Sequence, residues 1–327
     1  PHIKSVFYRN LVSYLIVLCI SLLIGNILYG KFKATIEDEA LRANMAVLER
    51  ACNLIDSQMK QIADLINTVE ANQRIQRIMY TNSPLNEQTL YNTALTLNEM
   101  ASYRSMYPLI HDFFIFFKNN DIILNSTSKY KPELFFEYVY NPKNISTGEW
   151  LELMADRYHS NADVYMQTFN LYAMEKDMIV AMQSLPMGDR NKPLATIAVL
   201  IDEEKIKVLL NNLKFLNNGS IYIVDKNGKI LVSNSDRGPL PRSVIQGLTG
   251  EKGWFRTDVD GRDSAVSYIS SQYRGWKYIS MMPADLYMFK VTHLEKFTMF
   301  AAIIFVLVGI ITSYVLAYRN YYPIKKI

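Results

Sequence analysis

Side chains able to do chemistry are scattered along this sequence. The histidines, His2, His111, His159 and His293, show none of the spacings that hold a metal ion. The densest acidic run, Asp258-Val259-Asp260-Gly261-Arg262-Asp263, places three carboxylates within six residues. An oxygen-rich loop of that kind could hold calcium. It lacks the spacing and the distal Glu of an EF-hand, however, and reads better as a hairpin turn. No nucleophile elbow, phosphate loop or paired-carboxylate motif stands out. The expectation is a protein with no enzyme active site, no cofactor and no metal. A different pattern is polar residues set between apolar ones on short strands. Tyr165, Gln167 and Phe169 share one face of a strand at 164–169, and Ile179, Ala181 and Gln183 share one face at 178–183. Such positions orient a small polar ligand.

Those strands belong to a larger set. Asp112–Phe117 (DFFIFF) is apolar on both faces, as a central strand should be. Asn119-Asn120-Asp121 turns it into 122–125. Two short helices are expected at 132–140 and 147–158, divided by Pro142. Strands resume at 164–169, 178–183 and 194–201, giving one antiparallel sheet with helices beside it. A second, smaller unit begins at Asn217. Its runs 220–225 and 229–233 flank Asn227-Gly228, a strong hairpin signal. A helix at 241–248 and strands at 253–258, 263–270 and 276–282 complete it.

A long helix precedes the first unit. From Lys31 to Tyr80 there is no proline and no glycine, and apolar residues recur at steps of three and four. This predicts a helix of about 75 Å. Ile36, Val47, Ile55, Met59, Ile62 and Ile66 lie on its seam, which we expect to face both its own domain and a second copy in a homodimer. Thr81-Asn82-Ser83-Pro84 breaks the chain, and a second helix follows over 86–103.

Two uncharged apolar stretches bracket all of this, at 11–29 and 297–318. Each is long enough to cross a bilayer, which takes about 20 apolar residues. The first lacks a small-x-small cleavage site, so it is read as an anchor rather than a signal peptide. Lys4 and Arg9 precede the first stretch; Arg319, Lys325 and Lys326 follow the second. The positive-inside rule then places both termini in the cytoplasm and the intervening segment outside a cell membrane crossed twice. A net charge of +4 offers no dedicated nucleic-acid surface. The two cysteines, Cys19 and Cys52, sit in the first stretch and far along the long helix, so they cannot pair within the chain. An outside domain with no internal disulfide is common in bacteria with a single membrane.

Several of these pieces resemble a known family. The long helix, a large and a small sheet unit and the return to the membrane resemble a double Cache (dCache) sensor. GSIYIVDKNGKILVSN is similar to the family's strand-hairpin, GWKYISMMP to its closing strand with a Trp at the start, and GDRNKPLATIAVLID to the strand that leaves the first unit. The resemblance implies an α+β fold of two tandem PAS-like antiparallel-sheet units on a long N-terminal helix, flanked by two transmembrane helices. It also implies ligand sensing outside the cell. The divisions are then 1–10 cytoplasmic, 11–29 first span, 30–80 stalk, 81–205 distal unit, 206–282 proximal unit, 283–296 connector, 297–318 second span and 319–327 the start of a cytoplasmic linker.

The resemblance puts the ligand pocket in the first unit, with Phe116, Trp150, Arg157, Tyr165, Gln167 and Gln183 as candidate lining residues. An aromatic platform with amides would suit a saccharide. Amino-acid-binding members carry an Arg-x-Trp-Tyr-type motif, and nothing around Glu149–Tyr158 matches it. Pro283 and Pro323 mark the two ends of the transmission segment. The start KSVFYRNLVSYLIVLCISLLIG and the tail NYYPIKKI resemble membrane-bound AraC-type regulators of Gram-positive bacteria. The alternatives are the sensor region of a histidine kinase, whose usual Ile-Thr-x-Pro-Ile entry is absent here, and a module that contacts a solute-binding partner protein. No effector domain follows the tail, so the sequence is expected to be part of a longer protein. The expected partners are a small molecule, a second copy and the lipid bilayer, with DNA reached only through the effector.

Overall fold

The computed structural model describes residues 2–82, 87–160, 163–172, 174–190, 193–213, 219–234, 240–259 and 261–321. Asp260 and Pro323 lie outside them. Helix α1 (His2–Ala71) is unbroken and joins the expected first span to the stalk. It ends before the expected Tyr80. The Asn72 side chain accepts the N–H groups of Arg74 and Ile75 and caps a separate helix α2 (Gln73–Tyr80). Helix α3 (Glu87–Met106) packs on α2. Its Glu99 receives Asn72 Nδ2 at 2.7 Å and pairs with Arg74, which fixes the corner.

The distal unit follows. Its elements are β1 (Ile110–Phe117), β2 (Ile122–Asn125), β3 (Lys129–Tyr130), α4 (Pro132–Tyr138), β4 (Asn141–Pro142), α5 (Thr147–Asp156), β5 (Asp163–Leu171), β6 (Met174–Leu185) and β7 (Ala195–Asp202). All strand pairs are antiparallel, in the order β3-β2-β1-β7-β6-β5-β4. The edge strands β3 and β4 have two residues each, too few for any periodicity to announce them. Strand β1 is central, which explains its apolar character on both faces. Phe113, Ile115 and Phe117 meet the α1–α3 side, whereas Phe114 and Phe116 meet α4 and α5. A Pro at the start of α4 and a Ser146–Glu149 capping box at the start of α5 fix where those helices begin.

Asp202 ends β7 and caps helix α6 (Glu203–Asn212). The proximal unit has β8 (Ser220–Val224), β9 (Ile230–Ser233), α7 (Arg242–Gly247), β10 (Lys252–Val259), β11 (Arg262–Ser270) and β12 (Lys277–Pro283), in the order β10-β11-β12-β8-β9. The Asn227-Gly228 turn is as read, with Gly228 at φ +81°. On either side of Asp260 the strands β10 and β11 pair, Asp258 opposite Asp263 and Val259 opposite Arg262; Gly261 N–H donates to Asp258 Oδ1 at 2.9 Å, and Asp263 pairs with Arg256. Strand β12 ends at Pro283, which is buried, and passes directly into α8 (Ala284–Tyr321). The expected connector and second apolar stretch are thus one helix.

Helix α1 is the spine. Its Leu48, Ala51, Ile55, Met59, Ile62, Leu65, Ile66 and Val69 are buried in one core with residues of both sheets, Ile179, Ile197, Ile221 and Tyr278 among them. Each such aliphatic side chain contributes about 1.5–3 kcal/mol. This changes the reading of the seam. Ile55, Met59, Ile62 and Ile66 face the chain's own sheets and are at most 2% exposed, so they offer nothing to a second copy; Ile36 and Val47 are only half-buried. The helix also carries polar groups on its docked face. Asn44 Nδ2 donates to Ser267 and Asn44 Oδ1 accepts from Ser280, at 3.1 and 3.0 Å. Below the sheets α1 runs against α8, and Leu18 occupies the space that Gly309 leaves by having no Cβ.

Candidate functional site

Two regions carry the residues singled out above. The first lies between the distal sheet and helices α4 and α5. Here Phe114, Phe135, Phe136, Tyr140, Trp150 and Phe169 interlock, with ring centroids 4.9–6.4 Å apart and mostly edge-on, and Phe116 is buried in the same cluster. Phe116 and Trp150 are therefore core residues of this face rather than a platform open to solvent. Two polar features break the apolar packing. Asp112 is buried, accepts from Ser126, Asn125 and Tyr140 at 2.7, 3.2 and 3.3 Å, and sits at a bulge that shifts β1 against β7 at His111. Burial and the neighbouring Asp112 carboxylate hold the Tyr140 phenol well above its ordinary pKa. The indole Nε1 of Trp150 is buried and has no hydrogen-bond partner among the described residues, which costs about 1–3 kcal/mol when nothing else satisfies it.

The second region is a cleft of about 730 Å³ between the distal unit, the proximal unit and α1. The distal wall holds Arg157, Ser160, Asp163, Val164, Tyr165, Gln183 and Met187; α1 adds Ala63, Ile66 and Asn67; the proximal wall holds Asp225, Lys226, Asn227, Tyr273, Arg274 and Trp276. Arg157 follows the last turn of α5 and lies over the Tyr165 ring, 5.9 Å from its centre. Tyr165 in turn reaches His159, which is fully buried. His159 Nε2 meets the Leu153 carbonyl at 2.9 Å, so the proton sits there, and Nδ1 accepts from the Tyr165 hydroxyl at 3.3 Å. Burial lowers the His159 pKa and keeps the ring neutral.

The proximal wall is made of two turns. In the first, Asp225 Oδ1 accepts the N–H groups of Asn227 and Lys229 at 2.8 Å each, which holds Lys226 at the tip. In the second, Ser271 Oγ accepts Tyr273 N–H and Arg274 N–H at 3.1 Å each, and Gly275 closes the turn at φ +68°. Arg274 lies over the Tyr273 ring, 5.1 Å from its centre.

Of the six residues expected to line one pocket, Arg157, Tyr165 and Gln183 meet in this cleft, Phe116 and Trp150 are in the aromatic core, and Gln167 bonds the Thr168 carbonyl on β5. The two strand faces expected to line one pocket together are opposite faces of the sheet. In the β5–β6 register Tyr165 is opposite Val180 and Val164 opposite Ala181, so odd positions on one strand share a face with even positions on the other. Gln183 therefore belongs to the α1 side, and its amide donates to the His159 and Ser184 carbonyls. The sequence reading missed the proximal wall. Its signals lie in the Asn227-Gly228 turn and in Trp276 at the start of the closing strand, which the sequence alone marks as structure only.

Among the described residues, α1 carries a segment long and apolar enough to cross a membrane, and α8 carries a shorter apolar stretch, Phe297–Thr312. No group of three or more His, Cys, Asp or Glu side chains arranged to hold a metal occurs among the described residues.

Comparison with known proteins places the chain. No curated protein matches it. Solved structures share the fold. The sensory domain of the Campylobacter jejuni chemoreceptor Tlp3, with isoleucine bound, aligns over 78% of this chain and 97% of its own at 11% identity, with a TM-score of 0.51. The ligand-binding domain of Mlp24 with asparagine aligns over 80% and 98% at 10% identity and a TM-score of 0.50. The extracellular domain of the putative histidine kinase vpHK1S-Z8 aligns over 80% and 96% at 12% identity and a TM-score of 0.54. The Cache domain model (dCache_1) matches residues 31–290. That match spans most of the sequence and both sheet units, and the chain belongs to the Cache domain family.

Proposed function

We propose that this chain is the sensing and membrane-crossing part of a receptor, with the two sheet units outside the cell, both termini in the cytoplasm and two passes through the bilayer. One observation carries the reading. The first helix and the last strand of the sensor both continue without interruption into apolar helices, α1 and α8, which pack against each other. Their large apolar side chains, such as Ile16, Leu23, Phe300 and Ile303, are about half to two-thirds exposed in the isolated chain. A bilayer would cover them. The reading gives the chain no catalytic role. Its ligand is a small molecule, as in the related sensors solved with isoleucine and asparagine, and the cleft wall of Tyr165, Gln183 and Arg157 suits a polar one. A saccharide remains the candidate drawn from the sequence. The homodimer is retained with its contact at the half-buried Ile36 and Val47. The effector is an AraC-type DNA-binding domain or a kinase, the second in line with the histidine-kinase sensors that share the fold.

Topology is tested by cysteine labelling in intact cells after Cys19→Ser. Asn227→Cys should react with a membrane-impermeant maleimide, and Lys4→Cys only after permeabilisation. The reverse pattern would sink the two-pass receptor.

A second reading, docking of a solute-binding partner protein, is favoured by exposed large apolar side chains on the distal unit. Leu134 and Tyr138 on α4, and Tyr172 and Met174 at the β5–β6 turn, are between 47% and 82% exposed.

A further inference from the structure

The cleft between the units is lined by cations from both of them. Arg157 comes from the distal unit, Lys226 and Arg274 from the two proximal turns. Arg157 and Lys226 make no ion pair among the described residues. The cleft also holds two carboxylates: Asp225 is held by its own turn, and Asp163 Oδ2 lies 3.8 Å from the unprotonated His159 Nδ1, so the three cations outnumber them. Asn67, Ser160 and Asn227 add neutral hydrogen-bonding groups to the lining.

We propose that this cleft binds a small organic polyanion, bearing carboxylate or phosphate groups, that bridges Arg157 of the distal unit to Lys226 and Arg274 of the proximal unit. The proposal rests on the receptor reading and deepens it by naming the site and the charge of the ligand, with an anion in place of the saccharide drawn from the sequence. Three physical points support it. Like charges on opposite walls repel across the cleft, and an anion between them turns repulsion into charge-assisted hydrogen bonds from both sides. The guanidinium groups are already steered by Tyr165 and Tyr273, so less freedom is lost on binding. The volume, 730 Å³, falls within the range of about 300–1,000 Å³ usual for small-molecule sites. The route onward is also built in. Arg274 sits on the turn that Ser271 holds, and Ser271 donates to Asp56 on α1. A ligand that draws Arg274 toward Arg157 acts on α1 through that bond.

The test uses the full chain in lipid nanodiscs, with citrate as the carboxylate probe, inorganic pyrophosphate as the phosphate probe, and maltose and L-isoleucine as uncharged and zwitterionic comparisons. Citrate or pyrophosphate should raise the melting temperature, and whichever does so identifies the headgroup chemistry. Arg157→Ala and Lys226→Ala should each weaken that probe at least tenfold, with circular dichroism unchanged. Arg157→Glu should raise the melting temperature of the free protein and abolish the response, because it supplies the bridging charge itself. No shift with either anion, or an anion shift that survives Arg157→Ala and Lys226→Ala, overturns the proposal. A shift with maltose or L-isoleucine alone, indifferent to Arg157→Ala, overturns the polyanion cleft but leaves the receptor standing. Failure of the receptor reading is read separately, by the maleimide labelling.

Discussion

Asp56 and Ser271 meet across 215 residues of chain: the Ser271 hydroxyl lies 2.8 and 2.9 Å from the two carboxylate oxygens. Tyr278 adds its hydroxyl to the same carboxylate at 3.3 Å, and Cys52 lies a helical turn away. This contact ties the cleft-lining turn to the spine.

Replacing Asp56 by Ala should therefore do two things. Stability should fall by about 1–3 kcal/mol, the cost of leaving part-buried hydroxyls without their acceptor, measured by urea unfolding of the full chain in detergent. The Cys52 thiol, pushed up to about 12 by burial and the Asp56 carboxylate, should become more reactive toward iodoacetamide. Unchanged alkylation in the Asp56→Ala variant would show that the carboxylate is not what restrains the thiol.

The aromatic face gives a contrasting pair. Phe169→Ala should cost about 3–5 kcal/mol, as large-to-small changes in a packed aromatic core do. Trp150→Phe should leave the ligand-free protein unchanged or more stable, because it removes a buried N–H that has no partner among the described residues. A loss above about 1 kcal/mol for Trp150→Phe would mean that the indole N–H is satisfied in solution.

Much of the fold was legible because its signals are local. The all-apolar β1, the Asn227-Gly228 turn and the proline-free helix each declare themselves within a few residues. Register is not local. Nothing in 164–169 or 178–183 says that odd positions on one strand pair with even positions on the other, so Tyr165 and Gln183 were set on one wall for the wrong reason. They share the cleft only because it opens at the ends of their strands. The seam of α1 misled in a related way, since its spacing is the same whether the apolar stripe meets a second copy or its own sheets. The proximal cleft wall was unreadable because its turns are polar and short, and their convergence with Arg157 depends on how two separate sheets dock on one helix.

Acid should loosen the distal unit. The pKa of His159 is lowered from 6.5 by burial, and that of His111 is lowered too, again chiefly by burial. The unfolded chain therefore takes up protons that the folded chain refuses. The stability each neutral ring contributes is fully present above pH 6.5 and is lost as pH falls through the folded-state value. A melting-temperature profile between about pH 7.5 and about pH 5 should slope downward toward acid, because the unfolded chain binds protons that those two rings refuse in the fold. His159→Gln should flatten part of that slope, and a profile of undiminished steepness would assign it to other groups.

Gly309 predicts a rescue. A side chain there would occupy the space that Leu18 fills. Gly309→Val should lower thermal stability in nanodiscs, and adding Leu18→Ala should recover most of the loss, since coupled neighbours are not additive. Equal losses with and without Leu18→Ala would mean that the two helices do not touch there in a bilayer.

The Asn44 bonds to Ser267 and Ser280 have a mechanical consequence. They grip α1 midway between Val17, among the apolar turns, and Ala71 at its distal end, so each arm is about 40 Å long at 1.5 Å per residue. The arm above Asn44 is packed against both sheets, so a shift of the proximal sheet carries α1 with it, and the arm below hands that shift toward the membrane. Spin labels on α1 below Asn44 should report a displacement when citrate or pyrophosphate binds, and Asn44→Ala, which removes two of the bonds to the proximal sheet, should reduce it.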